Sequence, residues 1–147
     1  MDNFEDRFVT VGGVKTRYWQ AGSDGSAVML LHGIGCSVLD WQTNIPALAA
    51  RHRVYALDML GYGLTEKPGS ETYTIPQLAQ FTLDFLSTQE IQRAHFAAFS
   101  LGGALYWTVR EPHLNVSPQW CSWHPPELRA RARSSISGWR AFHSWVK

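Results

Sequence analysis

The chain has 147 residues, 45% of them hydrophobic and 17% charged, with a formal net charge of +1. That length allows one domain with a real core, and the composition excludes a disordered chain. A net charge this small gives no electrostatic basis for nucleic acid or an anionic membrane as partner. The first residues, Met1 to Asp6, are acidic and lack the basic start and apolar run of a signal peptide. No apolar run approaches the ~20 residues of a membrane helix. Cys36 and Cys121 are far apart and show no CxxC spacing. Reduced thiols and a cytoplasmic location are therefore expected.

In chain order, residues 8–11 and 14–21 read as two strands joined by a hairpin turn at Gly12-Gly13. Arg17, Tyr18, Trp19 and Gln20 mix polar and aromatic types, which suggests a half-exposed antiparallel pair. The unbroken apolar run Ala27-Val28-Met29-Leu30-Leu31 predicts a strand covered on both faces, stopped by His32-Gly33. A helix is expected over 39–50, interrupted or restarted at Pro46, then a buried strand over 53–57 ending at Asp58. Residues 61–70 form a glycine-rich loop. Thr74, Pro76 and Gln77 mark a helix start, and Leu78, Phe81 and Phe85 give that helix an apolar stripe. A strand over 93–99 and a helix from Leu101 to about Arg110 follow. This order implies an α/β fold: a parallel sheet flanked by helices and begun by an antiparallel hairpin.

From Ser117 the pattern stops. No period of 2 or 3.6 is sustained, and Trp120, Trp123, Trp139 and Trp145 crowd together with Arg129, Arg131, Arg133 and Arg140. The chain therefore divides into residues 1–113, an ordered core, and 114–147, an aberrant tail.

Three short segments carry chemistry. Ala98-Phe99-Ser100-Leu101-Gly102-Gly103 lies between a predicted strand and a predicted helix, where a strained turn lifts a serine above the sheet. Small residues are needed two before and two after the serine. Gly102 meets that demand, while Ala98 stands where glycine is more usual. A serine capping an ordinary junction is the alternative. His32-Gly33-Ile34-Gly35 follows the first buried strand. Its glycines allow the Ile34 amide to face the serine and, with the Leu101 amide, to form an oxyanion hole. A plain glycine turn is the alternative, and His32 is expected to orient this loop rather than act as base. Asp58-Met59-Leu60-Gly61-Tyr62-Gly63 closes the next strand. Asp58 is expected to bind loop amides, with a catalytic carboxylate as the alternative. His32, Gly33, Gly35, Asp58, Gly102 and Gly103 are thus supports of the site around Ser100. No spacing calls for a metal or a cofactor.

Together these segments and Trp41 resemble the α/β-hydrolase superfamily over about residues 8–113. The resemblance implies a partial sheet of about five strands in the order 1-2-4-3-5, with 93–99 at one edge. The serine is similar to the esterase, lipase and carbon–carbon hydrolase branches; dehalogenases and epoxide hydrolases of the superfamily carry aspartate there. The wording around 32–41 and 58–68 resembles meta-cleavage-product hydrolases, which split vinylogous diketone acids. A small-molecule substrate is implied.

That resemblance also implies an acid and a histidine after the serine, on later strands. Downstream of Ser100 stand only Glu111 and Glu127, with His113, His124 and His143. The triad acid and histidine are therefore expected to be absent. A chain that lacks them is expected to be truncated, inactive and prone to self-association through the exposed edge strand, with Leu105 and Trp107 uncovered. A non-catalytic binding or regulatory protein that keeps the half-fold is one alternative; a minimal hydrolase recruiting His124 or His143 is another.

The genetic code bears on the tail. Read one base earlier, the codons around 120–125 permit Val-Leu-Val-Ala-Ser-Pro, and those around 138–146 permit Leu-Ala-Ser-Ile-Pro-Leu-Leu-Gly. Two apolar patterns in one alternative frame point to a frame change between Leu114 and Gln119; a genuine divergent tail is the alternative. Sequencing the gene beyond the codon for His113 is expected to show those strand-like patterns in the shifted frame. Codons incompatible with both would remove the frame-change argument.

Overall fold

The computed structural model describes residues 4–113. The expected unit 114–147, with Glu127, His124 and His143, lies outside them. The element order is β1 (Glu5–Val11), β2 (Val14–Ala21), β3 (Ala27–Leu31), a 3-10 turn (Val38–Trp41), α1 (Ile45–Ala49), β4 (Arg53–Leu57), α2 (Ile75–Thr88), β5 (Ala94–Ala98) and α3 (Leu101–His113). The strands form one sheet in the order β1-β2-β4-β3-β5. β1 and β2 pair antiparallel, β2 meets β4 antiparallel, and β3 runs parallel to both β4 and β5. The α/β class and the strand order are those expected.

β3 is buried at every position, which its unbroken apolar run requires. Alternation sorts its side chains onto two cores. Met29 and Leu31 face a core with Tyr55, Leu57, Leu78, Phe85, Phe96 and Leu105, built under α2 and α3. Val28 and Leu30 face the other, with Val54, Ala56, Val38, Ile45 and Leu48, under α1 and the 3-10 turn. Helical elements thus cover both faces.

Several local features differ from expectation. β1 begins at Glu5, three residues before the apolar run, because ladder pairing with Gln20, Trp19 and Tyr18 is made by backbone and tolerates polar side chains on an edge strand. Arg17, Tyr18 and Trp19 are buried rather than half-exposed, because β2 lies inside the sheet between β1 and β4. The helix expected over 39–50 is two pieces. Ser37 and Asp40 form a reciprocal capping box on the 3-10 turn. Pro46, which lacks an amide hydrogen, sits in the first turn of α1. Thr74 caps α2 without a side-chain bond. Gln77 instead accepts the Tyr73 amide at 2.8 Å. Leu105 is fully buried, contrary to expectation, because α2 packs against α3; Trp107 is 50% exposed. Among the described residues β5 has a partner strand on one side only.

α2 is held by its stripe. Phe85 is fully buried and meets the Tyr18 ring edge-on at 5.2 Å. Phe85→Ala is expected to cost about 3–5 kcal/mol, the transfer term plus the cavity left behind. Urea unfolding measures it; a loss below about 1 kcal/mol would mean that α2 can collapse into the space.

Candidate active site

Parallel pairing brings three strand ends level. Leu31 is opposite Leu57 on β4 and Ala98 on β5. His32, Asp58 and Ser100 therefore all stand at the carboxyl end of the sheet, where open α/β sheets place their ligands. His52 precedes β4 and His95 is the second residue of β5, so both belong to the opposite end.

Ser100 is the single residue between β5 and α3 with a left-handed backbone, φ +52°. For a residue with a Cβ that conformation is strained. Its neighbours hold it there. The Phe99 amide donates to the Leu31 carbonyl at 3.3 Å, and the Gly102 amide donates to the carbonyls of His32 and Phe99 at 3.1 and 3.0 Å. The Ala104 amide then donates to the Ser100 carbonyl at 3.2 Å, starting the helix. A Cβ on Gly102 would lie 2.4 Å from the Leu31 carbonyl oxygen, so only glycine permits this approach. At 103 a Cβ would meet open space, so no steric demand for Gly103 exists. Ala98 is buried in the core, its methyl accommodated. The Ser100 residue itself is exposed.

The loop after β3 passes directly over this turn. A Cβ on Gly33 would stand 2.8 Å from the Phe99 ring and 3.2 Å from the Ser100 Cβ. Gly35 has φ +71°. The Cys36 amide closes the turn on the Gly33 carbonyl at 3.3 Å. Ile34 sits inside that turn, outside the sheet, and is 71% exposed. Leu101 opens α3, so no helix carbonyl lies four residues behind its amide.

His32 is fully buried. Its Nδ1 lies 2.7 Å from the Gly33 carbonyl, and its Nε2 accepts the Met59 amide at 3.2 Å. Because a carbonyl only accepts, Nδ1 carries the hydrogen. Both ring nitrogens are thus occupied by the two loops. Burial lowers the His32 pKa, against the opposing pull of the Gly33 carbonyl and of Asp58.

Asp58 is also fully buried. Oδ1 accepts the Val38 amide at 2.7 Å, and Oδ2 accepts the Leu64 amide at 2.9 Å. A Cβ on Gly63 would fall about 2.1 Å from this carboxylate, so the loop after β4 can wrap it only with glycine there. The Asp58 carbonyl accepts the Thr65 hydroxyl at 2.7 Å, and that hydroxyl accepts the Arg17 amide at 2.9 Å. The Arg17 guanidinium stands 3.5 Å from Oδ2 and is paired twice with Asp6 at 2.8 Å. Sequence reasoning missed Arg17 and Thr65. The available signal was an arginine beside the aromatic pair Tyr18-Trp19 within a predicted strand.

Glu111 and His113 lie at the far end of α3. Twelve residues of helix rise place His113 about 18 Å from Leu101. Among the described residues no group of three or more His, Cys, Asp or Glu side chains could hold a metal ion, and no helix is long and apolar enough to cross a membrane.

Residues 26–114 match the family model described as alpha/beta hydrolase fold. The chain is 41% identical over 105 residues to a 2-hydroxy-6-oxo-6-(2'-aminophenyl)hexa-2,4-dienoic acid hydrolase of Metapseudomonas resinovorans, covering 69% of this chain and 36% of that one. It is 34% identical over 112 residues to a 2-hydroxy-6-oxo-2,4-heptadienoate hydrolase of Pseudomonas putida, covering 73% and 40%. The crystal structure of a serine hydrolase involved in carbazole degradation superposes with a TM-score of 0.68 at 33% identity, over 82% of this chain and 49% of that one. The chain thus spans well under half the length of these two curated relatives.

The buried His32 makes stability depend on pH. Its folded pKa lies below the ordinary value, so the stability it contributes is present above about pH 6.5 and is lost as pH falls toward the folded value. The urea midpoint is expected to drop between pH 7 and pH 5. His52 is shifted in the same direction, chiefly by burial, so the diagnostic is a difference. His32→Gln is expected to be less stable at pH 7 yet to lose less on acidification. A variant that keeps the full wild-type pH dependence would remove His32 as its source.

Proposed function

The chain belongs to the α/β-hydrolase fold family, and on that premise we propose that it carries the nucleophile-bearing half of a serine hydrolase, with Ser100 as nucleophile. The observation that carries the proposal is the left-handed, exposed Ser100 at the β5–α3 turn, two residues before Gly102, where a Cβ would strike the Leu31 and His32 carbonyls. A capping serine at an ordinary junction has no need of a strained backbone.

In this proposal the Ser100 Oγ adds to a substrate carbonyl carbon, and the carbonyl oxygen becomes an oxyanion. The Ile34 and Leu101 amides are its donors. Their support is negative in kind: the Ile34 amide lies outside the sheet ladder, and the Leu101 amide has no helix partner behind it. The substrate class is a small ester or a carbon–carbon bond next to a ketone, the latter favoured by the two dienoic or dienoate hydrolases it is similar to. The Oγ needs a base to take its proton, and the base needs an orienting acid. His32 is barred by its two occupied nitrogens, and His113 by helix length. From the two apolar patterns hidden in the shifted frame we also propose that residues 114–147 are read out of frame, and with them that this polypeptide has no ordinary turnover. Association through the open side of β5 belongs to the same proposal.

The test uses a fluorogenic ester and a serine-directed phosphonate probe. The 147-residue chain is expected to show at most the weak catalysis of an oxyanion hole alone, on the order of 10³-fold over water. A chain with the frame restored after His113 is expected to turn over, and Ser100→Ala to lower its kcat by roughly 10⁴-fold or more. Ordinary rates from the 147-residue chain, abolished by Ser100→Ala, would refute the frame proposal alone. Full activity after Ser100→Ala in the restored chain would refute the nucleophile. Tight binding of a ligand without turnover in the restored chain would favour a non-catalytic binding protein.

A further inference from the structure

We propose that Arg17 is a positioning residue for the site, acting through Asp58 to set the two loops that flank Ser100. This rests in part on the reading of Ser100 as nucleophile, because it gives the loops their purpose.

The contacts form one chain from the surface to the site. Asp6 on β1 is half-exposed and holds the Arg17 guanidinium with two bonds of 2.8 Å. Arg17 presents its other side to Asp58 Oδ2 at 3.5 Å. Asp58 spends its two oxygens on one amide from each loop, Val38 after β3 and Leu64 after β4. A fully buried carboxylate is costly unless it is paired and hydrogen-bonded, so the guanidinium beside Asp58 offsets part of that cost while both oxygens accept loop amides. The backbone repeats the link. The Arg17 amide donates to the Thr65 hydroxyl, which donates to the Asp58 carbonyl, while the Asp58 amide donates to the Arg17 carbonyl at 3.1 Å. Residue 17 therefore grips residue 58 from both sides of its peptide and at its side chain.

The consequence reaches the serine. Val38 opens the 3-10 turn that follows the segment 32–37, and Gly33 in that segment lies so near Phe99 and Ser100 that an added Cβ would crowd both. If Asp58 lets go of Val38, the segment carrying Ile34 loses its anchor on the far side. Lysine at 17 keeps the charge but not the fork that spans Asp6 and Asp58. It is expected to rescue in part.

The experiment follows amide hydrogen exchange in the full 147-residue chain and in Arg17→Met, Arg17→Lys and Asp6→Asn, with phosphonate labelling of Ser100 measured in the same four sequences after the frame is restored. Arg17→Met is expected to speed exchange at Val38 and Leu64 about tenfold or more relative to Leu30 in β3, the scale of one charge-assisted hydrogen bond. Arg17→Lys should recover part of that protection. Asp6→Asn, at a half-exposed surface position, keeps the fold and should show the same pattern more weakly, which covers the case in which Arg17→Met does not fold. Labelling of Ser100, at equal folded fraction, should fall in the same order. Exchange at Val38 and Leu64 that rises only in step with Leu30, with no recovery in Arg17→Lys, would overturn the proposal, since Arg17 would then serve global stability alone. Loop amides that respond as expected while Ser100 labels in none of the frame-restored chains, the one without substitutions included, would support the Arg17–Asp58 tie and count against Ser100 as nucleophile.

Discussion

Everything at the site depends on how closely the start of α3 can approach the end of β3. Gly102 lies so near the Leu31 and His32 carbonyls that its missing Cβ is the condition for contact. Its amide uses that proximity to bond to His32. The chain must then turn from strand to helix within two residues, Phe99 and Ser100, and Ser100 absorbs the turn at positive φ. Such strain costs about 1–3 kcal/mol and persists only where the surroundings over-determine it. Here they do. Phe99 is tied to Leu31, Ala104 to Ser100, and β5 is paired to β3 along its length. The exposure of the serine goes with the same geometry, since Ser100 stands at the apex of the turn.

The second condition is polar and lies under the loops. His32 and Asp58 are both fully buried, and each spans two segments. His32 joins Gly33 to Met59, and Asp58 joins Val38 to Leu64. Buried polar groups cost little when every partner is present and a great deal when one is missing. The two residues therefore act as a pair of cross-ties between the loops after β3 and β4. The apolar cores beneath resist compression on both sheet faces, so the strand ends form a fixed platform for these ties.

Much of this was legible in the sequence, for reasons that differ by residue. β3 and β4 announced themselves because strands buried on both faces have no room for polar side chains. Gly102 was readable as a requirement because neighbouring backbone passes close beside such a turn; the matching constraint at Gly63, set by the Asp58 carboxylate, was not. Three kinds of feature were not readable. Polar residues 5–7 gave β1 no apolar signature, because an edge strand is held by its ladder. Arg17 looked half-exposed because its burial follows from the strand order and from an acid on each side, one 11 residues before it and one far beyond it. The split of the segment 38–49 turned on Ser37 and Asp40, whose reciprocal bonds outweigh the helix propensity of the residues after them. For Asp58 the need for loop amides was readable, but not which ones. The Val38 amide is 20 positions away, and only the fold brings it back.

The sheet also limits where a partner for Ser100 can come from. Among the described residues the strand order puts β5 at one edge and β1 at the other, with β2, β4 and β3 between. On the β3 side the space beside the serine is filled by the Gly33 loop and the Phe99 ring. Below it stands the closed Leu31–Gly102 contact. A base must come within about 3 Å of the serine oxygen. It can do so only from the open side of β5 or from above the strand ends. The described histidines fit neither path: His32 lies beneath the loops with both nitrogens engaged, His52 and His95 belong to the amino ends of their strands, and His113 ends α3, about three turns of helix from the serine. The turn that raises Ser100 and the outer edge of β5 are thus parts of one requirement. A segment that paired with β5 in parallel would bring its own carboxyl end level with Ala98, and so deliver whatever follows it to the serine.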